Sequence, residues 1–376
     1  MIYLDNAATT RVYDEALEIM ADIYSNEYFN PSSTYKQGLS VKKMINDSRI
    51  VLSGVFNCAP AEIYFTSCAT EANNWILNSG FKNKKGNIVV SGGEHACVYE
   101  CAKNLKNKGF DVRFTKLLPN GAVDIDDLVQ KVDINTCLVS VIHASNETGV
   151  INDLALISKK IKAINPKIIF HSDGVQAFLK ANNDLKSLGV DAYSISGHKI
   201  GAPKGVGAVY ISSKIKLQPF IYGGGQESGL RSGTENVAGI CALAKAVTVF
   251  SKNAKENTVS KLREIAVNKI LSINDVVILG NETNHTDYIL TFYALGTKAE
   301  ILQTMCADDG VLIGRGSACS SRHGGNRVLG EMGLNQKQID GALRISFSPS
   351  NNDEEVANAM DIVIKNINKL REHKIG

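Results

Sequence analysis

The chain lacks the usual signatures of a metal finger. It has eight cysteines in 376 residues but no C-x-x-C pair and no H-x-x-x-H run. Cys97 and Cys101 lie four apart, on one face of an expected helix, yet no second pair completes a zinc site. No metal is expected, and the thiols are read as reduced and mostly buried in a reducing compartment. Strong charge is also missing. The net charge is +3, too small for a nucleic-acid footprint or a polybasic membrane anchor. The N-terminus, "MIYLDNAATTRVYDEALEIM", has no basic region followed by a long apolar one, so no signal peptide is expected. No apolar run reaches the roughly 20 residues that span a bilayer. A cytoplasmic protein, with no nucleic-acid and no membrane partner, is the default. G-x-x-x-x-G-K-[ST] is absent, and no G-x-G-x-x-G opens the first βα unit, which excludes P-loop and dinucleotide readings. No repeat or low-complexity segment is visible.

What is present is ordinary globular material, 44% apolar, enough for one large α/β unit or two to three domains. Seven β-rich runs alternate with helical stretches: "EIYFTS" (62–67), "NIVVSG" (87–92), "DVRFTK" (111–116), "CLVSVIHA" (137–144), "KIIFHSD" (167–173), "DAYSISG" (191–197) and "GVGAVYIS" (205–212). Several are apolar throughout, the pattern of strands buried on both faces of a mostly parallel sheet. The alternation predicts βαβ units and a large α/β domain. After "IYGGGQESGLRSGT" (221–234) a long helical run follows, then strand-like "DVVILG" and "YILTFYAL", then a C-terminal amphipathic helix. A second, α+β domain is expected from about residue 250.

Ligands of open α/β sheets bind beyond the carboxyl ends of the strands. Those positions hold Ala69-Thr70 opening a helix, His95, Asn146, Asp173 with Gln176 one helical turn on, and Ser196 with His198-Lys199. Singly, each has a structural explanation, since Ser and Thr cap helices and Asn-Glu-Thr-Gly makes turns. Together they match what pyridoxal phosphate requires. Its aldehyde needs a lysine, its ring nitrogen a carboxylate, and its phosphate hydroxyls and backbone N–H groups. Lys199, Asp173 and the Thr70 turn supply these.

The motifs resemble those of the cysteine desulfurases, pyridoxal-phosphate enzymes of the class V aminotransferase superfamily. The likeness runs end to end: "YLDNAATT" (3–10), "NPSS" (30–33), "FTSCATEANN" (65–74), "EH" (94–95), "ASNETG" (144–149), "SDGVQ" (172–176), "SGHKIGAPKG" (196–205), "GGGQESGLRSGT" (223–234), "GSAC" (316–319) and "LRISFS" (343–348). It implies a fold-type-I transferase. A large domain of residues 13–249 carries a mostly parallel seven-stranded sheet, and residues 1–12 and 250–376 form a smaller α+β domain. It also implies roles. Lys199 holds the cofactor as a Schiff base, and His95 stacks on the ring and moves protons. Asp173 pairs with the ring nitrogen and Gln176 with the ring hydroxyl. Ala69, Thr70, Ser196 and His198 hold the phosphate, joined by Thr234 from the partner of a homodimer. Asn146 and Arg344 bind the carboxylate of L-cysteine. Cys319 takes the sulfur as a persulfide and passes it to an acceptor protein, such as an iron–sulfur scaffold.

Cys319 lies within "IGRGSACSSRHGG" (313–325), a Gly- and Ser-rich stretch with little apolar company. Such a tether suits a thiol that swings between cofactor and acceptor. A nucleophilic thiol must be deprotonated, and Arg315, Arg322 and His323 around Cys319 are expected to favour its thiolate. The sequence departs from many relatives at Tyr35, Cys68, Gly314-Arg315 and Ser348-Pro349, without removing a catalytic group. Two other readings stay open: a selenocysteine lyase, and a sulfur-delivery scaffold with weak activity alone.

Overall fold

The computed structural model describes residues 1–79, 86–256, 259–280, 283–315 and 326–372. Cys319, Arg322 and His323 lie outside the described residues. Among those described, the strands are β1 (Ile2–Leu4), β2 (Ile63–Thr66), β3 (Asn87–Ser91), β4 (Asp111–Thr115), β5 (Thr136–Ser140), β6 (Ile169–Asp173), β7 (Ala192–Ser196), β8 (Gly207–Ile211), β9 (Val276–Leu279), β10 (Ile289–Ala294), β11 (Val311–Ile313) and β12 (Ala342–Ser346).

All seven expected runs join one sheet, in the order β2-β8-β7-β6-β5-β3-β4. Only β8 runs against its neighbours, so the sheet is mostly parallel. Alternate side chains enter different cores. Val89, Val139 and Phe170 face one apolar cluster, while Ile88, Val90 and Leu138 face another that includes the fully buried Trp75. Burial on both faces explains the uniformly apolar strands. Each such side chain contributes roughly 1.5–3 kcal/mol relative to exposure.

A smaller antiparallel sheet has the order β12-β10-β9, and β1 pairs in parallel with β11. The helical run expected after residue 234 divides into Val237–Glu256 and Val259–Ile270. The first contains an 18-residue stretch, Val237–Ala254, apolar enough to cross a membrane by length and composition. At 18 residues it is shorter than the roughly 20 expected of a spanning run. This helix packs on Asp14–Asn26 and Lys36–Phe56, and 56% of the stretch is buried inside the molecule. Its apolarity is therefore that of a core helix. Two smaller expectations also change. Gln176, placed one helical turn after Asp173, lies in a run of turn residues, 175–180. Of the described cysteines only Cys101, Cys241 and Cys306 are buried, whereas Cys58, Cys68, Cys97 and Cys137 are partly exposed.

Candidate active site

The parallel strands deliver their carboxyl ends to one edge. β4 follows β3 on one side of the β3–β5 boundary, and β6 follows β5 on the other. A crevice opens where successive connections diverge in this way. Ala69, Thr70, His95, Asn146, Asp173, Gln176, Ser196, His198, Lys199 and Arg344 all line one cavity there, of about 260 Å³. A larger cleft of about 620 Å³, bordered by Lys42, Arg49 and Glu227, contains none of these groups. Chemistry, not size, marks the site.

Lys199 ends the short turn Gly197–Lys199 after β7. Its Nζ donates to Ala7 O (2.8 Å) and Ala8 O (2.7 Å). The "DNAATT" segment is laid against this turn. Thr10 N and Oγ1 donate to His198 O at 2.9 and 3.0 Å, and Gly201 N donates to Thr10 Oγ1 at 2.7 Å. His198 Nδ1 lies 3.2 Å from Thr9 Oγ1. Burial, with Lys199 nearby, holds this histidine down to about 4. Burial also lowers Lys180 to about 7, again with Lys199 contributing.

His95 is the N-cap of the helix Ala96–Asn107, and its Nδ1 accepts the Cys97 N–H at 3.2 Å. An accepting Nδ1 places the proton of the neutral ring on Nε2. Burial holds His95 below its ordinary pKa, and Asp173 opposes the shift. Asp173, at the end of β6, accepts from Asn73 Nδ2 (2.7 Å) and Val175 N (3.0 Å). Burial pushes its carboxyl above the usual range, with His95 and Lys199 pulling back. Gln176 Nε2 donates to Ala7 O at 2.9 Å, while its buried Oε1 has no partner among the described residues.

Arg344, in the middle of β12, donates from NH1 to Asn146 O (2.7 Å) and from NH2 to Asp5 Oδ1 (3.0 Å). Its backbone exchanges two hydrogen bonds with Gly314, at 2.8 and 2.9 Å. Beyond residues 316–325, Arg327 donates to Gly92 O and Glu94 O and covers the Tyr99 ring at 3.8 Å. Both flanks of the Cys319 segment are thus anchored beside the site: one at Arg344, the other at the turn that carries His95.

Thr234 does not reach this cavity. It lines a separate cleft of about 120 Å³ with Thr66, Gly205 and Arg231. Sequence reasoning missed Ala7, Asn73 and Cys97. Ala7 supplies a carbonyl, which any residue type carries, so no side-chain signal marked it. Asn73 and Cys97 act through contacts 100 and 24 residues apart in sequence. Cys97 and Cys101 share no partner: Asn73 reaches Cys97 Sγ, and Asn78 reaches Cys101 Sγ.

The groups present fit pyridoxal phosphate. Lys199 offers an amine. Asp173, buried and held by two neutral N–H donors, is short of the positive charge that a protonated ring nitrogen supplies. The unpartnered Gln176 Oε1 suits a ring hydroxyl. The N-terminus of the helix Ala69–Ser79 suits a phosphate.

Known proteins carry the same architecture. The aminotransferase class-V family model matches residues 2–358. The cysteine desulfurase IscS of Clostridium botulinum is 35% identical over 380 residues, covering 99% of this chain and 95% of that protein. A solved NifS-like protein superposes with a TM-score of 0.91 at 34% identity, over 98% of this chain and 99% of that one. SspA, solved in complex with cysteine, gives 0.83 at 28% identity, over 94% and 100% of the two chains. The fold is that of the type I pyridoxal-phosphate enzymes, and the chain belongs to the class-V aminotransferase family.

Proposed function

We propose that the protein is a cysteine desulfurase that converts L-cysteine to L-alanine and passes the sulfur on through Cys319. The observation that carries this reading is the convergence of Lys199, Asp173, the unpartnered Gln176 Oε1 and Arg344 on one cavity. Pyridoxal phosphate, when bound, draws off the electrons released at the α and β carbons of an amino acid.

The chain's own groups do the rest. Lys199, Asp173 and Gln176 hold the cofactor's aldehyde carbon, ring nitrogen and ring hydroxyl. Ala69 N–H, Thr70, Ser196 and His198 hold its phosphate. His95 stacks on the ring and, as a neutral imidazole with a proton on Nε2, moves protons. Asn146 and Arg344 bind the substrate carboxylate, to which the guanidinium fork is matched. Lys199 Nζ takes the Cα proton. The Cys319 thiolate then bonds to the substrate sulfur. The C–S bonding pair stays with Cβ, which takes up a proton, Lys199 returns a proton to Cα, and alanine leaves. Cys319 is five residues beyond Gly314, a tether of at most about 18 Å, and Gly314 is hydrogen-bonded to Arg344. That anchorage supports a thiol within reach of the substrate.

Thr234 lies away from its own chain's cavity, which supports a contribution to the partner's phosphate site in a homodimer. The sulfur goes to an acceptor protein such as an iron–sulfur scaffold, in the cytoplasm. Residues 13–249 form the cofactor-binding unit, and residues 1–12 with 250–376 form the smaller unit that carries Cys319.

The test is direct. Purified protein with pyridoxal phosphate is yellow, and Lys199→Ala loses that absorption. L-Cysteine with a reducing thiol yields alanine and sulfide, and Cys319→Ala loses persulfide formation. A colourless wild-type protein that cannot be reconstituted sinks the proposal. Retained selenocysteine turnover in Cys319→Ala favours the selenocysteine lyase.

A further inference from the structure

Cys97 has no task in that chemistry, yet it sits among the groups that do. His95, Cys97 and Asp173 bring an imidazole nitrogen, a sulfur and a carboxylate oxygen within 4.8 Å of one another. Cys97 Sγ lies 3.0 Å from His95 Nδ1. Asn73 ties the set together, with Nδ2 3.2 Å from Cys97 Sγ and 2.7 Å from Asp173 Oδ2. Its Oδ1 has no partner among the described residues, although Asn73 is fully buried.

We propose that the cofactor-free protein binds one divalent cation of the zinc type through His95 Nδ1, Cys97 Sγ and the Asp173 carboxylate, in competition with pyridoxal phosphate. Only the competition rests on the proposed function; the donor set stands on its own. One imidazole, one thiolate and one carboxylate suit zinc or cobalt and disfavour magnesium or calcium. Bonds of 2.0–2.3 Å in a tetrahedral site need donors roughly 3.3–3.8 Å apart. Closing from the present separations takes about 1 Å of side-chain movement. Three protein ligands leave a fourth position for water, and Asn73 Oδ1 is a free acceptor for it. Binding is not a redox step. The Cys97 thiol gives its proton to solvent as the metal–sulfur bond forms, and His95 binds as neutral imidazole. Because His95 and Asp173 also serve the cofactor, the two ligands exclude each other.

The experiment uses the full chain stripped of pyridoxal phosphate and titrated with Co²⁺ alone. One equivalent should produce a near-ultraviolet sulfur-to-cobalt charge-transfer band and the visible bands of tetrahedral cobalt. Cys97→Ser should lose the charge-transfer band and bind at least about tenfold more weakly. Asp173→Asn should weaken binding to a similar extent. Cys68→Ser removes another thiol that lines the cavity and should keep the band. Circular dichroism checks that each variant is folded. Added pyridoxal phosphate should discharge the cobalt spectrum as the yellow colour develops. No thiolate band at one equivalent, or a band that survives in Cys97→Ser, overturns the site. Uptake of pyridoxal phosphate with cobalt fully retained overturns the competition. Cobalt bound through Cys97 in a protein that never takes up the cofactor supports the site and removes the proposed function instead.

Discussion

Arg344 is held through its two terminal guanidinium nitrogens and its backbone. Its guanidinium spans Asn146 O and Asp5 Oδ1, and its backbone is paired with Gly314. A lysine there keeps the charge but loses the fork. Hydrogen bonds to charged groups contribute about 1.5–3 kcal/mol, so Arg344→Lys should raise KM for L-cysteine at least about tenfold. Cofactor absorbance should stay the same. An unchanged KM removes Arg344 from substrate binding. Gly314 belongs to the same arrangement. A Cβ there would lie 2.6 Å from Asp5 Oδ1 and 3.1 Å from Arg344 NH2, so Gly314→Ala should shift KM in the same direction. The place of Arg344 in the cavity was legible through the "LRISFS" motif. Asp5, 339 positions away, was not, because no local pattern encodes a contact between chain ends.

At the scale of elements, two packings hold the site in place. Gly174 follows Asp173 at the end of β6. A Cβ on it would fall 2.0 Å from the ring of Tyr193, which is completely buried on the neighbouring β7. Gly174→Ala must therefore push β6 away from β7 and carry Asp173 with it. We expect a loss of roughly 1–3 kcal/mol in denaturant unfolding together with weaker cofactor retention. A variant as stable as the wild type would show that Tyr193 can move aside. The second packing is the ion pair of Arg49, from the helix Lys36–Phe56, with Glu227 at 2.8 Å. Glu227 Oε2 also accepts from Phe65 N in β2 at 2.9 Å. Both side chains are largely buried. Glu227→Ala leaves a buried guanidinium unpaired, which costs about 3–5 kcal/mol and should lower the unfolding midpoint accordingly. The existence and kind of these elements were readable from apolar runs and turn residues. The division of the long helical run and the turn residues at 175–180 were not, since periodicity does not mark a break.

For the whole molecule, buried histidines set an acid limit. His171 and His143 are buried, and burial lowers them to about 3 and about 4. Both are neutral in both states above the ordinary value near 6.5. As pH falls below it, the unfolded chain takes up protons that the folded one refuses, so stability is lost from about pH 6.5 downward. At pH 5 each costs about 2 kcal/mol. Glu94 works in the opposite direction. Burial raises its carboxyl well above the usual range, so its contribution is present at low pH and fades as pH rises. The histidine part is isolated by comparison. The unfolding midpoint of His171→Gln should fall less between pH 7.5 and 5 than that of the wild type, and equal slopes would remove His171 from the acid response. At this scale the division of labour between sequence and tertiary structure is plain. The residue types, their order along the chain and their apolar rhythm determined the α/β class, the seven strands and the chemistry available at the strand ends. Only the folded sheets decided that ten of those residues share one cavity and that Thr234 does not, because pairing sets the carboxyl ends of β3, β5, β6 and β7 side by side and the smaller antiparallel sheet brings Arg344 to them from β12. Only packing placed Cys97 against His95 and left Gln176 Oε1 without a partner. Burial and hydrogen-bond satisfaction are properties of neighbours in space, and a linear sequence does not specify which neighbours those are.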